Sequence, residues 1–131
     1  MYAELTYKLL IKDDDGTVVK EDPPSGQSLT VEKDDLTEKG GLTFNLAAGA
    51  ADVEQVFSNV DNANLLLIRT TEDISFKKNS NAGEVQYIVA DKKAEAVKCG
   101  ICLMTTSGIT SLFFSNAGSV TATVELVFAA S

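Results

Sequence analysis

The stretch Cys99–Ser131 contains a single charged side chain, Glu125, and is otherwise built from β-branched, aromatic, small and hydroxylated residues cut by Gly-containing breaks. Its last strand pattern sets Val120, Ala122, Val124, Leu126 and Phe128 on one face and Thr121, Thr123, Glu125, Val127 and Ala129 on the other. Alternation with period two is the signature of a β-strand. Strands this poor in charge on both faces need a covering layer, whether a second sheet, a second subunit or both.

The rest of the chain reads the same way. Residues 2–12 alternate, with Ala3, Leu5, Tyr7, Leu9 and Ile11 on one face of an expected half-buried strand. Asp13-Asp14-Asp15-Gly16 is a tight hairpin turn, Thr17–Lys20 the returning strand and Glu21–Gln27, with its adjacent prolines, a loop. Ser28–Glu32 and Leu42–Leu46 read as strands, joined by a charged connector through Gly40-Gly41 with room for one helical turn. Ala47–Val60 reads as irregular chain leading into a short strand. Asn64–Thr70 is an apolar run suited to a central strand buried on both faces. Ile74–Lys78, Glu84–Ala90, Val97–Thr106, Ile109–Asn116 and Ser119–Ala130 complete the series, with turns at Asn79–Gly83, Ser107-Gly108 and Ala117-Gly118. The expectation is a single all-β domain over residues 1–131: an antiparallel β-sandwich, of which a jelly roll is one form, with at most short helical turns.

Charge narrows the partners. Nineteen acidic against eleven basic residues give a net charge of −8, the reverse of the cationic footprint that phosphate backbones or anionic membranes require. Neither nucleic acid nor membrane is an expected partner. No apolar run approaches the roughly 18 residues that span a bilayer, and the first residues lack the basic and apolar segments of a signal peptide, so synthesis and folding in the cytoplasm are expected.

Three constellations invite chemistry. Cys99-Gly-Ile-Cys102 has the spacing of a redox pair or half a zinc site, but on a strand residues three apart point to opposite faces, and the chain has no third Cys and no His. Two reduced cysteines buried in a core are expected. Asp13–Asp15 lacks the alternate acidic spacing of a calcium loop and reads as a solvated turn, weak cation binding being the alternative. Glu32, Asp34, Asp35 and Glu38 crowd one connector without the aromatic platforms of a glycosidase cleft. With no His, Ser and Cys triads are excluded. The expectation is a non-enzymatic protein with no catalytic residue, no metal and no cofactor.

Leu65–Ile68 followed by Ile74–Lys78, then Gly108–Asn116 and Gly118–Ala129, follow a cadence of leucine-rich strand, short polar strand, Gly turn, Ile-X-X-Leu strand, Asn-X-Gly turn and final Val/Thr strand. In this the C-terminal half resembles small β-sandwich virion accessory proteins of tailed bacteriophages. The resemblance implies a structural virion protein made in the host cytoplasm. Most directly it implies a capsid decoration (cement) protein that acts as a homo-oligomer on the major capsid protein or another virion protein. A neck, tail or fibre-base subunit is the alternative within that class, and a carbohydrate-binding β-sandwich module the alternative outside it. It carries over no functional residue. The candidate interface positions are Leu112, Phe114, Val127 and Ala129.

Overall fold

A computed structural model describes residues 1–27, 29–33, 35–57, 59–91 and 97–131. It is all-β and antiparallel throughout, with no helix among the described residues. By internal contacts the chain divides into two compact units, Met1–Leu36 and Thr37–Ser131.

The first unit is a two-stranded ribbon. Strand β1 (Ala3–Tyr7) pairs with β4 (Leu29–Lys33), and β2 (Leu9–Lys12) pairs with β3 (Val18–Asp22), so the ladders nest as one long hairpin. Its tip is the expected turn: Gly16 N donates to Asp13 O at 2.9 Å and Asp13 N to Thr17 O at 2.9 Å. The alternation of residues 2–12 is broken at Lys8, whose ammonium reaches Pro23 O at 3.0 Å and Glu21 Oε2 at 2.8 Å. The structure corrects one point here. Leu5, Leu9 and Ile11, placed by the alternation on a half-buried face, are 40%, 56% and 48% exposed, because a two-stranded ribbon supplies no second layer of its own.

The second unit is the sandwich. Strands β5 (Glu38–Leu46), β7 (Ala63–Thr70), β10 (Gly100–Ile109) and β12 (Ala122–Ala130) form sheet I in the order β10-β7-β12-β5. Strands β6 (Val53–Val56), β8 (Ile74–Lys78), β9 (Gln86–Ile88) and β11 (Ser111–Ser115) form sheet II in the order β6-β11-β8-β9. Every link between consecutive strands crosses from one sheet to the other except β8–β9, which is a hairpin. This is jelly-roll winding.

The core lies between the two sheets. Leu66, Ile68, Val124 and Leu126 from sheet I meet Phe76, Leu112 and Phe114 from sheet II, all essentially without exposure. Phe114 is its centre, with Phe44 at 5.3 Å and Phe76 at 6.1 Å between ring centroids.

Two glycine sites depart from the sequence reading. Gly40-Gly41 lies inside β5, not in a connector with a helical turn, and Gly40 is there because a Cβ would sit 2.7 Å from Phe128 Cζ. Asp34, in the same connector, falls outside the described residues. Ser107-Gly108 is not a turn either. Strand β10 continues through it, with a bulge between Thr105 and Ile109 and Gly108 at φ 142°, and delivers the chain through Thr110 into β11 of the other sheet. Bulges of this kind bend a strand across a sandwich corner.

Candidate functional site

The sequence-predicted positions separate into core and surface. Leu112 and Phe114 have no exposed surface and face the chain's own opposite sheet, which removes them from any surface that a second protein could reach. The reason is their phase in β11: they share the inward face. Val127 and Ala129 lie on the outward face of β12, Val127 at 55% exposure and Ala129 at 8%.

The outward face of sheet I is built in rows by strand register. Ile101, Arg69, Glu125 and Thr43 form one row across β10, β7, β12 and β5. Leu103, Leu67, Val127 and Gly41 form the next, and Thr105, Leu65, Ala129 and Lys39 the third. Ile101 and Leu103 are exposed, Leu65 and Leu67 half-buried, and Arg69 pairs with Glu125 in the middle of the face. The expectation that β7 is a central strand buried on both faces therefore holds for its position and its inward face. Its outward face is only half covered. The signal lay in the sequence, in the second apolar set (Leu65, Leu67, Ile101, Leu103) running out of phase with the core set; which strands would bring these together was not.

The ribbon also exposes apolar side chains. Leu9 and Ile11 stand across from Asp22 and Lys20, and together with Glu21 they line a shallow groove of about 370 Å³. At its end Tyr7 donates its hydroxyl to Asp22 Oδ2 at 3.1 Å, and that bond holds the Tyr7 pKa above its ordinary value. The side that carries Glu4 and Glu32 sets these two carboxylates directly opposite one another, next to a Thr6–Thr30 hydroxyl contact at 3.1 Å. Like charges in cross-strand register oppose pairing, so this ribbon has little intrinsic stability to spare.

The chemical constellations resolve individually. Asp15 Oδ1 accepts the Thr17 amide at 2.8 Å, which holds its carboxyl below the usual aspartate range, so this carboxylate serves the turn. Among the described residues, no group of three or more His, Cys, Asp or Glu is placed to hold a metal ion. Cys99 and Cys102 are both free thiols, but the expected burial is only partly met. Cys102 lies on the inward face of β10 against the core, where burial pushes its pKa up. Cys99 is exposed, because the face it shares with Ile101 and Leu103 is the outer one.

Most phenylalanines face the core. Phe57, Phe76, Phe114 and Phe128 are core residues and Phe44 packs against them, Phe113 is half-buried on the outward face of β11, and Tyr2 and Tyr87 are the well-exposed rings. Sugar platforms need several such rings on one surface.

Compared with protein-family models, with curated proteins and with solved structures, the chain matches none.

Proposed function

We propose that this protein is a non-enzymatic structural component of a tailed-phage virion, a decoration subunit that seats on the capsid shell and stabilises it by added buried area. The supporting observation is the ribbon. Met1–Leu36 is a compact unit of four short strands paired as one ribbon, on which Leu5, Leu9, Leu10, Ile11, Val18 and Val19 are each at least 40% exposed. Isolated hairpins are marginal in water, and apolar side chains left exposed along one gain most from a second protein that covers them. The jelly-roll unit beside it in sequence supplies a scaffold of a kind found in capsid and lectin domains alike. The ribbon, rather than the fold, is the feature that favours assembly.

The test mixes purified protein with undecorated shells and follows co-sedimentation. Wild type should pellet with the shells and raise their melting temperature. Replacing Leu9→Thr and Ile11→Thr together keeps strand-favouring residues while removing apolar area. This should weaken shell binding by about 2–3 kcal/mol, on the order of 50-fold, with the circular dichroism of the sandwich unchanged. Failure of the wild type to bind any shell would end the decoration reading, and binding indifferent to both substitutions would end the role of the ribbon.

A further inference from the structure

We infer that the outward face of sheet I is the surface through which two copies of this chain meet, stacked face to face about a twofold axis that runs along the strands between β7 and β12. This deepens the assembly reading by naming the contact between copies. It is tested by self-association alone, which shell binding does not enter.

Strand register decides how two such faces meet. A twofold axis in that position keeps each row of the face on itself and reverses its order. The row Leu103–Leu67–Val127–Gly41 then lies on Gly41–Val127–Leu67–Leu103 of the second copy. Leu103, the largest outward projection at its end of the row, falls on Gly41, which has no side chain. Leu67 falls on Val127. In the neighbouring row Leu65 falls on Ala129, again large on small.

Charge follows the same operation. Arg69 and Glu125 are neighbours on β7 and β12 and already paired within one chain. The axis passes between them, so each arginine comes to rest over the second copy's Glu125 and each glutamate over its Arg69. The result is an alternating square of two positive and two negative charges, each with two opposite neighbours. Exposed as it is in one copy, with Arg69 at 53% and Glu125 at 41% side-chain exposure, the pair contributes little. Covered by its own image, it gains strength from the lower dielectric and leaves no charge unpaired.

The other in-plane twofold axis, running across the strands, gives a different outcome. It keeps each strand on itself and reverses the order of the rows, so that Arg69 falls over Leu65 or Leu67, or over its own image when the axis runs through its row, and no charge meets an opposite one. Only the axis along the strands matches size with size and sign with sign. Sheets stacked face to face cross at about 30°. The contacts nearest the axis, between β7 and β12, which carry the charges and the central leucines, hold their register most closely, and Leu103 over Gly41 is displaced along the strand by a few ångströms, within the reach of a leucine side chain.

The face also sets the strength. Four strands about 4.8 Å apart and seven residues of about 3.4 Å give roughly 450 Å² of flat area per copy. This is below the roughly 800 Å² of a standard interface. The association should be reversible and fall within the micromolar range.

Sedimentation velocity on the full chain, from a few micromolar to several hundred, is the experiment. Wild type should pass from monomer to dimer over that range. Arg69→Glu and Glu125→Arg should each weaken self-association about tenfold or more, since each places like charges over like charges. An equimolar mixture of the two variants should recover it, because one copy then presents two acidic and the other two basic side chains. An effect confined to one chain cannot be relieved by mixing. Gly41→Val is the second probe. An added Cβ meets nothing nearer than the Leu126 carbonyl oxygen at 3.4 Å, so the monomer accommodates it, whereas the second copy's Leu103 does not. Its thermal unfolding should match wild type while its dimer is lost. A wild type that stays monomeric, a dimer untouched by Gly41→Val, or folded variants that fail to associate on mixing would each overturn the inference.

Discussion

Asn116 does more to hold the sandwich ends than any residue singled out from the sequence. It has no exposed surface, and its Nδ2 donates to Leu46 O at 3.1 Å and to Val120 O at 2.8 Å, while its Oδ1 accepts from Gly118 N at 3.0 Å. Its backbone N–H donates to Ala50 O at 2.9 Å, and its carbonyl accepts from Gly49 N at 2.8 Å. One side chain thus ties the exit of β5 to the turn that launches β12. Asn116→Ala strands two carbonyls and an amide in a site with little access to water and should cost about 3 kcal/mol in urea denaturation, with the slope of the transition unchanged. A loss under about 0.5 kcal/mol would show that the ends are held by backbone alone. In the sequence this residue is an ordinary turn asparagine, and nothing in its neighbours marks it as buried. Asn79 is similarly silent. At φ 61° it receives Thr110 N on Oδ1 at 2.8 Å and donates Nδ2 to Gly108 O at 3.2 Å, clamping the corner where β10 passes into β11.

Strands, by contrast, were legible wherever one face alone was apolar. The inward set of β12, Ala122 to Phe128, was read correctly because Thr123, Glu125 and Val127 alternate against it. Legibility failed where both faces are apolar or neither is covered. Leu112 and Phe114 could have faced either way until the partner strands were known, and the apolar face of residues 3–11 gave no sign that its own unit would supply no second layer. Glycine failed for another reason. Gly-Gly and Ser-Gly usually punctuate a chain, but here Gly40 and Gly108 lie within strands, one for close approach of a ring and one for a bulge. Gly40 carries the prediction at this scale. Phe128 is 2% exposed and its ring lies 4.5 Å from that of Phe57, so it has no room to withdraw. Gly40→Ala should destabilise the protein by about 1–3 kcal/mol through overpacking, and a melting temperature equal to wild type would show that the ring can yield.

Taken whole, the molecule joins two units with very different means of staying folded. The sandwich closes a core between two sheets; the ribbon closes none. Hydrogen exchange should therefore divide along the chain, with amides of β7 and β12 protected to near the global unfolding free energy and those of β1 to β3 exchanging through local opening orders of magnitude faster. Uniform protection would mean that the ribbon is stabilised by a covering layer. The jelly-roll winding also bears on how the molecule comes into being. Strand β12 occupies the slot between β5 and β7, so the middle of sheet I is missing until residues 122–130 have been made. On a ribosome adding about 5–20 residues each second, β5 and β7 emerge well before their common partner, and their open edges are held in waiting. Non-local pairing of this kind is slow to form. The sandwich is therefore a structure assembled after its last strand leaves the ribosome, and a chain interrupted before Ala122 is a sticky fragment rather than a smaller fold.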